Sequence, residues 1–211
     1  LISEQKHCIR SSTERSDFLI MGKPLEMIIR SDSYDETLKI ASVMAAFLKP
    51  GDVLCLDGDL GAGKTAFAAG IAAGLGMEGA VSSPTFTIMH EYIRNNTSSG
   101  TFTGDHAIRR INHFDAYRLS GADEFTDLGF EEFLDNDDAI AVIEWADRIS
   151  AALGKACIRV VFHRDDVMTE NVNNMKRVLE ITFTAEDERF KDLITELTSS
   201  GYSVSGVGKL E

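Results

Sequence analysis

One early segment of the chain repeats its apolar positions with a helical period. Apolar side chains recur there every three or four residues, at Leu38, Ala41, Met44, Ala45 and Leu48. Ser33 and Glu36 precede them as a capping box, in which the Ser33 hydroxyl accepts from the backbone N–H of Glu36 and the Glu36 side chain reaches back. Pro50 and Gly51 end the pattern. The segment therefore predicts a helix that covers one side of a sheet.

A short apolar run, a glycine-rich stretch and a helical segment follow in this order. Residues 53–56, VLCL, are too few for a helix and lie between Gly51 and Gly58, which predicts a buried strand. After Thr65 the chain is rich in helix formers up to Gly76. The stretch between strand and helix reads GDLGAGKT and consists of Gly58, Asp59, Leu60, Gly61, Ala62, Gly63, Lys64 and Thr65.

The GDLGAGKT stretch has the spacing GxxxxGK[ST] of a phosphate-binding loop. Its glycines allow backbone N–H groups to close around a phosphate, and the N-terminus of the following helix adds a favourable dipole. In this interpretation Lys64 reaches the β- and γ-phosphates of a nucleotide, and the Thr65 hydroxyl binds Mg²⁺. The alternative is a glycine-rich turn without a ligand, but the full motif between a strand and a helix favours the nucleotide site.

An acidic side chain is expected near the magnesium, at the end of an apolar strand. Residues 139–143 are five consecutive apolar residues, and Glu144 closes the run where a buried parallel strand would meet the ligand crevice. The alternative is a solvated carboxylate at a strand end. Trp145 follows as the single tryptophan of the chain. A lone tryptophan is more often part of a core, but this position places it beside the predicted nucleotide pocket.

Residues 82–88, SSPTFTI, predict a polar turn that enters an alternating strand. Thr85 brings a hydroxyl to a place where a mobile loop can face the γ-phosphate. The alternative is an ordinary strand edge.

The segment HFDAYR places a second group of polar residues on a predicted strand. His113, Asp115 and Tyr117 alternate onto one face, and Phe114 onto the other. Asp115 could hold a Mg²⁺-bound water or orient an attacking one, and Arg118 could lie near the phosphates. The alternative is a hydrogen-bonded strand face without a catalytic role.

Composition limits the class of protein. With 211 residues, 44% hydrophobic and 26% charged, the chain fits one α/β domain with extensions. Its apolar runs fall short of the roughly 18 residues of a membrane span, so we expect a soluble, cytoplasmic protein without membrane contact. Cys8, Cys55 and Cys157 form no CxxC or Cys/His cluster, so neither a disulfide framework nor a zinc site is supported. A net charge of −13 predicts that any link to RNA runs through a partner.

The two ends of the chain carry weaker signals than the centre. Residues 1–30 show no firm periodicity and are expected to be partly disordered, and residues 199–211 are expected to form a mobile tail. Residues 157–163 and 177–184 predict two more strands, and residues 187–198 predict a helix. We therefore predict a single α/β domain over residues 31–198, with a P-loop NTPase-like mixed sheet of about seven strands flanked by helices.

Five sequence blocks, in this order, resemble the TsaE family. The blocks are GDLGAGKT at 58–65, SSPTFTI at 82–88, HFDAYRL at 113–119, DLGFEEF at 127–133 and IEW at 143–145. The resemblance covers roughly residues 33–154. Members of this family are bacterial P-loop ATPases needed to make N6-threonylcarbamoyladenosine (t6A) at adenosine 37 of tRNA. They act with the TsaB and TsaD proteins, of which TsaD transfers the threonylcarbamoyl group.

The resemblance implies roles for individual residues. Lys64 and Thr65 would bind the phosphates of ATP and Mg²⁺, with Glu144 as the acidic metal ligand. Asp115 would be a second acidic residue needed for hydrolysis. Catalysis would thus depend on Asp115, Glu144 and Lys64, and metal binding on Thr65 and Glu144.

The resemblance also implies the surroundings and the purpose of the nucleotide. Residues 58–65 would bind it, Thr85 would lie in a switch-like loop and Trp145 would border it. Hydrolysis would reset or activate the TsaB–TsaD complex, and tRNA would be reached only through that complex.

The chain departs from the family pattern at several places. Residues 93–112 are longer than the expected connection and predict an extended polar hairpin loop. Arg109 and Arg110 in it could contact a partner, although two solvated arginines are the ordinary interpretation. Ala146 stands where the family usually has proline, and both ends are longer than the family core.

Three other classes compete with an ATPase. A GTPase switch needs an NKxD element and a DxxG loop, and the sequence contains neither. A small-molecule kinase shares the phosphate loop and needs an arginine-bearing lid, for which Arg109, Arg110 and Arg118 leave room. A non-hydrolysing assembly module would bind nucleotide only to fold or dock, and Glu144 and Asp115 argue against it.

Overall fold

The computed structural model describes residues 25–77, 79–94, 105, 107–134, 136–153, 157–164, 176–183 and 188–209. Its strands are β1 (Leu25–Ser31), β2 (Val53–Gly58), β3 (Met89–Ile93), β4 (Arg110–Asp115), β5 (Ala139–Glu144), β6 (Ile158–Arg164), β7 (Arg177–Phe183) and β8 (Val204–Lys209). Its α-helices are α1 (Tyr34–Ala45), α2 (Lys64–Gly74), α3 (Ala122–Asp127) and α4 (Arg189–Ser199). Short 3₁₀ helices occupy Ala116–Arg118, Phe130–Phe133 and Ala146–Ile149.

The eight strands of the described residues form one mixed sheet in the order β3-β4-β5-β2-β6-β7-β1-β8. The central strands β4, β5, β2 and β6 are parallel. β3 on one side and β7, β1 and β8 on the other are joined by antiparallel pairing. The predicted α/β class with a P-loop NTPase-like mixed sheet is confirmed, with one strand more than the seven expected.

The central strands are apolar because helices cover the sheet on both faces. All six residues of β5 are buried, and so are the four inner residues of β2. Leu54 and Leu56 belong to the core under α1, α2 and α4, whereas Cys55 belongs to a second core with Phe114 and Phe125. This alternation of neighbouring residues between two cores follows from the period of two along a strand.

The capping box predicted before α1 is present. The Ser33 hydroxyl accepts from the Glu36 N–H at 3.1 Å, and the Glu36 carboxylate accepts from the N–H of Asp32 at 2.5 Å. The return bond therefore ends one residue earlier than in the usual box, where it reaches the cap residue itself. These bonds fix the first turn of α1, which packs against α2.

Two helical glycines allow α1 and α2 to approach closely. A Cβ at Gly70 would lie 2.4 Å from the Leu38 carbonyl oxygen, and a Cβ at Gly74 would lie 2.6 Å from the Ala45 Cβ. Glycine is normally unfavourable inside a helix, by roughly 0.5–1 kcal/mol relative to alanine. The close contact between the helices explains why glycine is found at these two positions. The same contact fixes α2, the helix that follows the glycine-rich loop, against α1.

Both ends of the described chain extend the sheet, which corrects the predicted domain bounds. β1 lies within the segment expected to be an extension, and its Met27 and Ile29 are fully buried. β8 lies within the segment expected to be a mobile tail, and it pairs with β1. Neither strand has a strong pattern in its own sequence. Each is stabilised by pairing with a strand far away in the chain, which a local pattern cannot show. Residues 1–24, 210 and 211 lie outside the described residues.

The remaining elements of the C-terminal part agree with the sequence. β6 and β7 occupy the two predicted strands. α4 begins at Arg189, two residues later than predicted. It buries Phe190, Leu193 and Leu197, and Ile194 packs at the edge of the same core.

The long connection before β4 joins the two strands of a hairpin, as predicted, but the predicted loop of residues 93–112 is too long, because Ile93 belongs to β3 and residues 110–112 belong to β4. β3 and β4 pair antiparallel from Met89 opposite Phe114 to Ile93 opposite Arg110. Residues 95–104 and 106 of the connection lie outside the described residues. Arg110 is not merely solvated, since its guanidinium contacts Asp138 at 2.5 Å and Glu91 at 3.4 Å.

The structure also bears on the expectations from composition. Cys55 and Cys157 are free cysteines, and Cys8 lies outside the described residues. Within the described ranges, no helix combines the length and the apolar character needed to cross a bilayer.

The glycine contact between α1 and α2 leads to a stability prediction. Gly70→Ala should lower the free energy of unfolding by about 1–3 kcal/mol, because the added methyl meets a backbone carbonyl that cannot move without shifting the helix. Urea unfolding followed by circular dichroism measures the change. Ala73→Ser, at an exposed position of the same helix, is the control and should change stability by less than about 0.5 kcal/mol. A Gly70→Ala protein as stable as the unmodified chain would contradict the close packing.

Candidate functional site

A cavity of about 510 Å³ opens at the carboxyl ends of the parallel strands. It is lined by the glycine-rich loop and the start of α2, by the segment before β3, and by the ends of β4 and β5. Tyr34 and Arg177 complete the lining. The register of the sheet explains the convergence, since Leu56 of β2 lies opposite Glu144, and Glu144 lies opposite Asp115. This edge of an open parallel sheet is the usual place for a ligand.

The loop between β2 and α2 has a positive φ angle at each of its three glycines, Gly58, Gly61 and Gly63. Gly58 and Gly63 have φ angles of 136° and 110°, a region that other residues rarely adopt. A Cβ at Gly58 would lie 2.6 Å from the Phe162 carbonyl oxygen. The loop therefore turns sharply against β6 before α2 begins at Lys64.

Lys64 is nearly buried at the start of α2, with 4% of its surface exposed. Its ammonium group donates to the carbonyl oxygens of Gly58 at 2.6 Å and Asp59 at 2.9 Å, and it lies 3.8 Å from the centre of the Trp145 ring. Burial lowers the pKa of Lys64, while the negative charges of Glu144 and Asp115 oppose that shift. The site thus holds a desolvated cation enclosed by the loop.

Thr65 and Glu144 meet directly, although they are 79 positions apart in the chain. The Thr65 hydroxyl lies 2.8 Å and 3.1 Å from the two carboxylate oxygens of Glu144. The Nε2 atom of His113 contacts the same carboxylate at 3.0 Å. Glu144 is 3% exposed, so the alternative of a solvated carboxylate at the strand end is wrong.

Asp115 joins the end of β4 to the segment before β3. One carboxylate oxygen accepts from the hydroxyls of Ser83 and Thr85, each at 2.6 Å, and the other accepts from the Tyr117 N–H at 3.0 Å. Within residues 82–88 only residues 85–87 form a turn, and strand β3 begins at Met89, directly after the predicted segment. The hydrogen bond to Asp115 holds the Thr85 hydroxyl at the cavity.

The structure corrects the predicted placement of Tyr117 and Arg118. β4 ends at Asp115, whose side chain caps the 3₁₀ helix Ala116–Arg118, so Tyr117 does not continue the strand face. Tyr117 still lines the cavity, with its ring centre 5.1 Å from that of Trp145. Arg118 is not among the lining residues and lies over the ring of Phe86 instead, at 4.7 Å.

Trp145 borders the cavity as predicted, in a left-handed backbone conformation with φ of 60°. The backbone N–H of Trp145 donates to the Leu56 carbonyl at 2.9 Å, which ties the end of β5 to β2. Ala146, at the position where the family usually has proline, begins the following 3₁₀ helix and is fully buried.

Sequence reasoning missed several contributors to the site, among them Tyr34, which lines the cavity. Ser83 lies in the block SSPTFTI, whose pattern indicates no role for it, and the alternation that places His113 on a strand face does not reveal its contact to Glu144. Arg177 lines the cavity from the start of β7, and its local sequence carries no motif that could have identified it. The antiparallel pairing of β7 with β6 places Arg177 at the cavity.

Comparisons with known proteins support one family. The sequence model of the family described as threonylcarbamoyl adenosine biosynthesis protein TsaE matches residues 31–173. The tRNA threonylcarbamoyladenosine biosynthesis protein TsaE of Bacillus subtilis is 39% identical over 171 residues, which make up 80% of this chain and 92% of that protein. Its counterpart in Rickettsia conorii is 36% identical over 171 residues, 80% of this chain and 86% of that protein. The crystal structure of Bacillus subtilis YdiB superposes with a TM-score of 0.55 at 32% identity, covering 86% of this chain and 98% of that one.

The mixed sheet with its strand, glycine-rich loop and helix places the protein in the α/β class with a P-loop NTPase-like fold. The matched family model and the identities to its members go further, and the chain belongs to the TsaE family. The resemblance found in the five sequence blocks is thereby confirmed. The individual roles of the site residues remain predictions.

The contacts of Asp115 lead to a prediction about local order. Asp115→Ala should speed amide hydrogen exchange in residues 82–88 by about tenfold or more, because two hydroxyls lose a charged acceptor. Hydrogen exchange followed by mass spectrometry measures the effect. Asp123→Asn removes an exposed carboxylate on α3 and should leave the segment unchanged. Equal protection in the unmodified chain and Asp115→Ala would mean that other contacts hold this segment.

Proposed function

We propose that this protein is a Mg²⁺-dependent ATPase that supports t6A formation at adenosine 37 of tRNA and works with the TsaB and TsaD proteins. The observation that carries the proposal is the convergence of Lys64, Thr65, Glu144 and Asp115 on one cavity. The family to which the chain belongs is named for threonylcarbamoyl adenosine biosynthesis, which supplies the pathway. ATP hydrolysis, the metal and the partners are the parts that experiment has to test.

The loop and Lys64 suit the phosphates of a nucleotide. A sharp glycine-containing turn ahead of a helix N-terminus presents backbone N–H groups and a favourable dipole to an anion. Lys64 is a compact cation that is already desolvated and faces the loop. Both features favour a ligand with several negative charges over a neutral one.

Thr65 and Glu144 suit Mg²⁺. The metal prefers oxygen ligands and usually binds through one or two side chains together with waters and substrate phosphates. A hydroxyl 2.8 Å from a buried carboxylate supplies such a pair. The described residues contain no group of three or more His, Cys, Asp or Glu side chains placed to hold a metal by themselves, and Mg²⁺ at a nucleotide site does not require one. When bound, Mg²⁺ would offset the charge that develops on the phosphates.

Asp115 is the residue proposed to act on the attacking water. It is 2% exposed, lies at the strand end next to Glu144, and lines the cavity. A carboxylate in this position can accept a hydrogen bond from a water and orient it toward the γ-phosphate. Catalysis would then consist of positioning and charge neutralisation, without a covalent intermediate.

The competing kinase is less well supported than the ATPase. Arg110 begins β4, whereas the cavity lies at the other end of that strand, and its side chain is paired with Asp138 and Glu91. Arg118 lies over Phe86 and outside the lining of the cavity. These two arginines therefore do not form a lid over the proposed phosphates. The NKxD element of a guanine site is absent from the sequence, which favours ATP over GTP.

The charge of the protein supports an indirect link to tRNA. A net charge of −13 makes a polyanion a poor direct ligand, since proteins bind nucleic acid mainly through basic surfaces. TsaB and TsaD would therefore contact the tRNA, and this chain would act on them through its nucleotide cycle.

Glu144 provides the sharpest test of the ATPase. Glu144→Gln should lower Mg²⁺-dependent ATP hydrolysis about 100-fold or more, because the metal loses its carboxylate ligand while the hydrogen-bonding shape is kept. Release of inorganic phosphate measures the rate, with TsaB and TsaD present. Glu132→Gln, an exposed carboxylate outside the cavity, should keep full activity. A Glu144→Gln protein with unchanged activity would contradict the proposed metal site.

Reconstitution with TsaB and TsaD tests the biological role. ATP turnover should be weak for the chain alone and rise when both partners are present. Multiple-turnover formation of t6A on tRNA should require the chain and should fail with Lys64→Ala, which lacks the buried cation of the loop. Product formation that ignores the chain would remove the proposed role. Transfer of phosphate to a soluble acceptor would favour the kinase.

A further inference from the structure

Two arginines from the C-terminal part of the chain bind the carbonyl groups of the glycine-rich loop. Arg164 ends β6 and Arg177 begins β7, and the two lie directly opposite each other in the antiparallel pair. The Nε atom of Arg177 donates to the Ala62 carbonyl at 2.9 Å. An Nη atom of Arg164 donates to the Leu60 carbonyl at 3.1 Å. Alternate peptide groups of the loop are thus held from outside it.

The two arginines differ in burial. Arg164 is exposed, whereas Arg177 is only 3% exposed and lines the cavity. Arg177 also lies against Gly63 so closely that a Cβ on that glycine would come within 2.7 Å of its Nε atom. Glycine is therefore needed at position 63 for a second reason besides its φ angle, because a side chain there would clash with Arg177.

Burial and a neighbouring like charge both act on the Arg177 guanidinium. Desolvation is costly for a buried charge, and like charges opposite each other on neighbouring strands repel. Burial and the charge of Arg164 both lower the pKa of Arg177. A phosphate at the adjoining loop would offset these costs, since it brings negative charge to the cavity that Arg177 lines.

The hydrogen bond to Ala62 also fixes the direction of the next N–H group. In a trans peptide the C=O and the N–H point in opposite directions. Because Arg177 binds the Ala62 oxygen, the N–H of Gly63 points away from Arg177. A phosphate-binding loop works through the direction of such N–H groups, and a peptide that can flip would supply its donor only part of the time.

We propose that Arg177 is a positioning residue of the phosphate loop, which binds the Ala62 carbonyl and thereby holds the Gly63 N–H in the direction needed for a nucleotide phosphate. Arg177 acts through the Ala62–Gly63 peptide and takes no part in the chemical step. The inference rests on the proposed function, because it requires the loop to bind a nucleotide.

Calorimetric titration of the 211-residue chain with ADP and Mg²⁺ tests the inference through binding, independently of hydrolysis. Arg177→Met keeps an apolar chain of similar shape and removes the donor, and it should weaken ADP binding about 10- to 100-fold. Arg177→Lys keeps the positive charge but puts a methylene where Nε stands, so it should also weaken binding by about tenfold or more. Arg164→Met loses an exposed contact to the same loop and should weaken ADP binding less than Arg177→Met does.

The controls separate this inference from its premise. Arg30→Met removes an exposed arginine from the neighbouring β1 and should bind ADP like the unmodified chain. Failure of the unmodified chain to bind ADP would reject the proposed function itself. Normal binding by the unmodified chain and equally by Arg177→Met or Arg177→Lys would reject only the role of Arg177. Should Arg177→Met fail to fold, as judged by thermal unfolding, Arg177→Lys still decides the question because it retains a cation in the buried position.

Discussion

The site depends on the register of three parallel strands. β2, β5 and β4 are aligned so that Leu56, Glu144 and Asp115 lie side by side at one edge of the sheet. A shift of one residue would turn Glu144 or Asp115 to the opposite face, since side chains alternate along a strand. The contact of Thr65 with Glu144 is therefore a consequence of strand pairing between distant segments. His113 lies two residues before Asp115 and on the same face of β4, and this position brings its ring into contact with the Glu144 carboxylate.

The glycine-rich loop is held from two directions. On one side, α2 is fixed by its contact with α1 at Gly70, which sets the position of the helix that begins at Lys64. On the other side, Arg164 and Arg177 bind loop carbonyls from β6 and β7. A loop that must direct several N–H groups at one ligand loses affinity if its peptides fluctuate, so a rigid support is part of the site. In the proposed nucleotide site, the antiparallel half of the sheet would therefore support the loop as well as enlarge the core.

Local signals predicted the parts of the fold that local physics determines. The capping box at Ser33, the strand–loop–helix order around Lys64 and the carboxylate after the apolar run of β5 are all contained within short stretches, and the structure has them. β1 and β8 escaped prediction because their stability comes from pairing with each other and with β7. Tyr117 was misplaced because Asp115 ends the strand by capping a 3₁₀ helix, a side-chain effect that alternation cannot reveal. Arg177 was missed for the same reason as β1, since its neighbours in space are far away in sequence.

The connection between Asp115 and residues 82–88 links the proposed chemistry to the proposed partners. The same carboxylate that would orient the water also accepts from Ser83 and Thr85, so order in this segment and the availability of Asp115 are coupled. Phe86 in the middle of the segment is 86% exposed, which leaves a large apolar side chain in reach of another protein. A partner that binds Phe86 and moves the segment would change the hydrogen bonds of Asp115 directly. Dependence of ATP turnover on TsaB and TsaD would then need no long-range conformational change, because Phe86 directly follows Thr85, whose hydroxyl binds the carboxylate proposed to act in catalysis.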